Sequence, residues 1–255
     1  MYHFSWFFLI PGFGEHGEAI DSLLMVHEEA AGAHAIPAAW FVVLLILVAS
    51  LMANAGLKAA RAKGGTLQYV PEANLGPRNV MELLVGGLLS FAEQTIGSRD
   101  IAVRYFPLFG TIFIYILLSN LMGVVPGFLP PTSSISNNWA MAIVVFFVFN
   151  YAGVKEVGVG YLKHIAGPVA AIAPVLFVLE SVSILLRPVT LSVRLYINMF
   201  ADHLLLGVSS EIIPLVLPSL FTGLGIFVSF VQAYVFMLLA VVYVTLSVAH
   251  DDDHH

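Results

Sequence analysis

Residues 179–205 read LESVSILLRPVTLSVRLYINMFADHLL, and the reading of this stretch decides what kind of protein the chain encodes. It is apolar enough for a membrane interior, yet it holds two arginines, Arg187 and Arg194. On a helix of 3.6 residues per turn the polar residues line up. Relative to Arg194 the offsets are roughly −20° for Ser183, +20° for Arg187, +40° for Glu180 and Asn198, and −40° for Thr190. Asp202 falls at the edge of this stripe, at about +80°, and His203 falls on the opposite face. An arginine near mid-bilayer costs at least about 2.5–3.5 kcal/mol. Its guanidinium cannot escape by losing a proton. Arg194 lies near the middle of an apolar stretch over about 172–210, too deep to snorkel easily, so its charge needs an anion or water.

A second long apolar stretch follows over about 218–249, with Gln232 as its only amide, and Pro214 and Pro218 mark the connection. The first stretch alone would extend roughly 60 Å as a helix, about twice the hydrocarbon thickness, so it must be strongly tilted or broken. Pro188 removes a backbone donor inside it, which opens the way to a kink. Upstream, spans are expected over about Pro37–Gly56, Pro107–Phe128 and Trp139–Val154, the last two joined by the Pro-rich turn GFLPPTSSISNN (127–138). Residues 79–97 place Val80, Leu83, Leu84, Leu88 and Phe91 at helical spacing, with Glu82 and Glu93 elsewhere, which predicts an interfacial amphipathic helix.

The expected fold is therefore an all-α membrane protein with about five transmembrane helices plus that interfacial helix, the last two helices long and tilted. Composition agrees. Of 255 residues 59% are hydrophobic and 10% charged, where a soluble domain carries about 25%. Residues 37–255 read as a single polytopic membrane domain, preceded by an external segment over 1–36. That segment begins MYHFSWFFLIPGF, a poor signal peptide without an early Lys or Arg, and its aromatics suit the headgroup level. The chain has no cysteine, which excludes disulfides and thiolate chemistry.

Basic residues alternate between loops. Lys58, Arg61, Lys63, Arg78, Arg99 and Arg104 fall between the first two spans, and Lys155 and Lys163 between the third and fourth. The other connections carry none. The positive-inside rule then puts the N-terminus outside and the C-terminus in the cytoplasm. On this topology the 172–210 helix runs from inside to outside, so Glu180 lies toward the cytoplasm and His203 toward the exterior.

Two readings of Arg194 stand side by side. It can pair within the chain with Glu180, Asp202 or Glu211, although Glu180 is about 21 Å away along the helix axis. Alternatively, its carboxylate partner belongs to another subunit.

The 179–205 run, followed by FVQAYVFMLLAVVYVTLS (230–247), resembles the last two helices of the F-type ATP synthase subunit a family. FPLFGTIFIYILLSNLMGVVPGFLPPTS (106–133) is similar to the family's earlier hairpin, and the resemblance spans roughly 37–249. Its most specific parts are Arg-Leu-Tyr-x-Asn-Met and Gln-Ala-Tyr-Val-Phe. The resemblance implies an ion-translocating stator in a bacterial inner membrane, a non-catalytic subunit of a rotary complex. Its partners would be the c-ring proteolipids, the peripheral stalk b subunits and the rest of the ATP synthase. Arg194 matches the essential arginine facing the ring carboxylates. Glu180 matches a carboxylate near the cytoplasmic half-channel, and Asn198 and Gln232 match polar residues flanking the arginine. His203 occupies the position of an acid or histidine lining the outer half-channel, and Tyr243 matches an aromatic near the inner end of the last helix. The family often has an ionisable residue seven positions before the glutamine. This chain has Gly225 there, which leaves Asp202 or Glu211 to complete the outer path.

Rival readings are weaker. Gly12-Phe13-Gly14-Glu15-His16-Gly17 satisfies a dinucleotide fingerprint in letters but lacks a strand–turn–helix context. The terminal run from His250 to His255 reads as a solvated acidic tail, and Glu82 and Glu93 as a solvated helix face. No cofactor, metal or nucleic-acid partner is expected. The alternative function is a self-contained cation-coupled carrier, which should show inverted repeats and paired broken helices. The sequence has neither.

Overall fold

A computed structural model describes residues 35–63, 76–125, 127–158, 173–213 and 216–248, apart from the side chains of residues 173, 174, 176 and 180. The expectations for 1–34 and for the 249–255 tail lie outside these residues. Among the described residues six α-helices follow one another: α1 Ala35–Lys63, α2 Pro77–Ile96, α3 Arg99–Met122, α4 Ile135–Val157, α5 Ala173–Ile212 and α6 Val216–Val248. A single 3-10 turn, Pro131–Ser133, sits between α3 and α4. The described residues contain no strand.

The composition of the buried positions explains the packing. Lipid tails are as apolar as leucine, so helices in a membrane associate through close contact rather than escape from water. Small residues permit that contact, and Gly110, Ala142, Ala152, Gly153, Gly225, Ala233 and Ala240 are all buried. Phe109, Phe113 and Ile116 of α3, Phe149 of α4, Leu191 and Leu195 of α5, and Phe236 and Met237 of α6 fill the space between. Large apolar side chains remain on the outside, among them Trp40 and Leu51 of α1 and Leu220 and Phe227 of α6. Such a surface belongs against acyl chains.

Among the described residues four helices are long and apolar enough to cross a membrane: α1, α3, α4 and α6. The sequence pointed to about five crossings. The remaining long helix, α5, has 40 residues but carries the polar stripe through its middle. Boundaries also moved. The second span was expected from Pro107, whereas α3 begins at Arg99 and keeps Pro107 inside it. Ser98 is in extended conformation just before α3, so the helix starts there, and one missing N–H at Pro107 is tolerated within a packed bundle. It ends at Met122, before Gly127, whose φ of 85° turns the chain toward Pro130. Helix α5 continues through Pro188.

Helix α2 departs from its expected face. Its packed side runs through Arg78, Leu88, Phe91 and Ala92, while Val80 and Leu83 are exposed. It docks on α1, α3 and α6, with Phe91 and Tyr234 rings 5.0 Å apart. Its apolar surface serves two neighbours, protein on one side and surroundings on the other, so the stripe drawn from spacing alone is about a quarter-turn away from the packed one. Arg78, expected in a basic loop, is buried instead and pairs with Glu82 at 2.7 Å. Glu82 is thus a counter-charge rather than merely a solvated face. Gly56 makes room for it, since a Cβ there would stand 3.2 Å from the Arg78 Cβ. An Arg104–Glu156 ion pair joins the start of α3 to the end of α4 and gathers the basic ends of the helices on one side.

Candidate functional site

Helices α3, α5 and α6 enclose a polar hollow that the apolar core does not fill. Two small adjoining clefts, partly open to the surroundings and each with room for about one water, share Asn120 of α3, Met199 and Asp202 of α5 and Ser229 of α6. Asn198 and Gln232 line the first; His203, Thr222 and Gly225 line the second.

Each polar group has a local reason for its place. Asn120 is held by the Pro131–Ser133 turn, where the Thr132 hydroxyl donates to its Oδ1 at 2.7 Å. Asn138, from the first turn of α4, donates to the Thr132 carbonyl at 2.8 Å and fixes that turn. The amides expected to flank the arginine clasp each other, with Asn198 Nδ2 donating to Gln232 Oε1 at 2.6 Å. Gln232 is only 5% exposed, and its Nε2 has no hydrogen-bond partner among the described residues. A buried donor left so costs about 1–3 kcal/mol unless water reaches it.

Asp202 and Gly225 fit together. A Cβ built at Gly225 would lie 3.6 Å from Asp202 Oδ2. The carboxylate of α5 thus lies directly opposite Gly225 of α6, where even a methyl group would meet it only at ordinary van der Waals distance. Asp202 and His203, which helical spacing separates by about 100°, both reach the cavity because it opens between their directions. Glu211 is exposed in the last turn of α5 and lines neither cavity.

Arg194 stands apart from this hollow. It is exposed on α5, as are Ser183 and Thr190 on the same stripe. Among the described residues it forms no ion pair; the pairs there are Arg78–Glu82, Arg99–Glu93 and Arg104–Glu156. Neither Asp202 nor Glu211 neutralises it. Glu180 lies on the same helix, with its side chain outside the described residues. The stripe therefore divides. Arg194 faces out, Asn198 turns to α6, and Arg187 lies against a pair of rings from α4 and α6, its Cζ 5.1 Å from the Tyr243 ring centre and 5.7 Å from that of Phe149. Tyr243 thus belongs with Arg187, about 16 Å along α6 from Gln232.

Sequence reasoning missed Asn120, Thr132 and Ser229. Asn120 carried a usable signal, a lone amide in an apolar span like Gln232. Thr132 and Ser229 carried none, because a hydroxyl in a helix or turn usually bonds its own backbone, as Ser229 does to the Gly225 carbonyl at 2.7 Å.

Comparison with known proteins agrees with the architecture. Residues 36–245 match the family described as ATP synthase A chain. The chain is 38% identical over 227 residues to ATP synthase subunit a of Geobacter sulfurreducens, covering 88% of this chain and 93% of that one. It is 39% identical over 228 residues to ATP synthase subunit a of Trichlorobacter lovleyi, covering 89% and 93%.

Proposed function

Because the chain belongs to the ATP synthase A chain family, as a multi-pass membrane component of that complex, we propose that it is the ion-translocating stator of a rotary motor. In this reading Arg194 faces the carboxylates of a c-ring, and two offset half-channels lead to it from opposite sides of a bacterial inner membrane. The N-terminus lies outside and the C-terminus in the cytoplasm. The peripheral stalk b subunits hold the chain against the ring. The single domain over 37–255 does no bond-breaking chemistry.

One observation carries the reading. An arginine stands exposed on an apolar helix, in no ion pair among the described residues, and the same helix sends Asn198, Asp202 and His203 into a hollow that Gln232 also lines. A permanent charge so placed is costly in a membrane, and an acid arriving from a partner offsets that cost. The hollow supplies the outer path. A cation enters it, is passed by Asp202 and His203 toward the amide clasp, and is taken up by a ring carboxylate. Asp202, rather than Glu211, is the acid that completes this path, since it alone lines the hollow. Glu180 serves the cytoplasmic path. Arg194 separates the two, repelling a cation that would cross directly and attracting each deprotonated carboxylate. Membership of the family sets the carrier reading aside.

The test is ion flux in vesicles holding the intact complex. Arg194→Ala should leave the complex assembled, abolish ATP-driven pumping and allow passive leak under an imposed potential. Normal pumping by this variant sinks the proposal.

A further inference from the structure

The stator role uses Arg194 and leaves the other intramembrane arginine unexplained. Arg187 lies two turns before Arg194 on nearly the same azimuth, about 10.5 Å along the axis. Its guanidinium is not presented outward. It sits half-buried against Tyr243 of α6 and Phe149 of α4, whose rings are themselves 5.8 Å apart. Phe149 is 1% exposed and packs edge-on against Phe146 at 5.4 Å, so the α4 side of this contact cannot give way easily. Both guanidinium distances fall within the roughly 6 Å reach of a cation–π contact.

The backbone beside it is a weak point. Pro188 follows directly and cannot donate to the Ile184 carbonyl, so one rung of α5 is missing there. The Thr190 hydroxyl bonds the carbonyls of Leu186 and Arg187, both at 3.0 Å, and the Ser192 hydroxyl bonds that of Val189. Back-bonding of this kind slightly weakens and bends a helix. Without an external hold, α5 would flex below Arg194.

We propose that Arg187 is a positioning residue that pins α5 to α4 and α6 through the rings of Phe149 and Tyr243, and so sets how far Arg194 reaches toward its partner. The inference rests on the stator reading, in which each passing carboxylate pulls sideways on Arg194 and hence on α5. A planar guanidinium suits the task because it can lie against two neighbouring rings at once.

The test compares Arg187→Gln, Arg187→Lys, Phe149→Leu and the double variant Arg187→Gln/Phe149→Leu in vesicles of intact complex, with Arg194→Ala alongside. Protons pumped per ATP hydrolysed and passive leak are measured at equal assembled complex. Arg187→Gln and Phe149→Leu should each lower the pumping ratio about fivefold and raise the leak. The double variant should be no worse than the worse single, and Arg187→Lys should recover at least about half of the ratio, since an ammonium still meets the rings. If Arg187→Gln does not assemble, Phe149→Leu must still lower the ratio. A normal ratio in Arg187→Gln or Phe149→Leu, additive losses, or no recovery with Lys overturns the pin. Arg194→Ala keeps the two ideas apart. If it pumps normally, the stator reading has failed. If it is inactive while Arg187→Gln is normal, only the pin has failed.

Discussion

The two arginines of α5 are the same residue seven positions apart, and the protein treats them in opposite ways. Around Arg187 the neighbouring helices offer aromatic faces, and the charge is drawn inward and held. Around Arg194 they offer none, and the charge stays exposed. The difference lies in the immediate neighbours of each guanidinium, since apolar side chains are exposed along both halves of the helix. The lesson is that helical phase alone does not assign a role to a charge on a membrane helix. What stands opposite on the next helix does.

The largest effect expected from this contrast is at Arg194. Arg194→Ala should abolish ATP-driven pumping, and Arg194→Lys should come close to it, because a compact, strongly hydrated ammonium lacks the planar fork. Arg187→Lys should instead retain much of its function. Flux assays on the two lysine variants side by side would break the comparison if they behaved alike.

A smaller loss is expected in the hollow. Asp202→Asn should lower pumping about tenfold with the complex assembled, whereas Glu211→Gln, outside the hollow, should change it less than twofold. Because Asp202 lies over Gly225, moving the acid across the gap should work. Asp202→Gly combined with Gly225→Asp should recover most of the activity that either change alone removes. An additive loss in the pair would show that the two positions do not share one space.

His203→Ala should alter the dependence of pumping on external pH rather than its maximum, as an imidazole titrates near about 6.5. An unchanged external profile would remove His203 from the outer path. The smallest effect belongs to Thr190→Val. Its hydroxyl bonds only carbonyls of its own helix, so pumping should stay within about 30% of normal and thermal stability of the complex within about 0.5 kcal/mol. A large effect there would mean that the exposed stripe, and not only Arg194, faces a partner.

Much of the site was legible in the sequence alone. Arg194, Asn198 and Gln232 stood out because polar groups are expensive in an apolar helix, and the cost itself is the signal. Asn120 obeys the same rule. Residue pairing was not legible. Asp202 and Glu211 were equal candidates by chemistry, and only the approach of α6 at Gly225 separates them. The amphipathic stripe of α2 misled for a related reason: a helix between a bundle and a membrane has two apolar sides, and spacing cannot say which one meets protein.

By itself the sequence determined that this chain is helical, membrane-embedded and holds an arginine deep in an apolar helix, where its charge needs an anion or water. Those properties follow from composition, period and the transfer cost of single residues, all of which are local. The tertiary structure alone decided that Arg187 lies against two rings while Arg194 stays exposed, that Asp202 rather than Glu211 meets the hollow, and that Thr132 bonds Asn120. Each depends on which faces of α3, α4, α5 and α6 meet, and at what height. Between helices in lipid that choice rests on shape, on where a glycine or alanine lets two backbones close, and shape is a property of the pair rather than of either sequence.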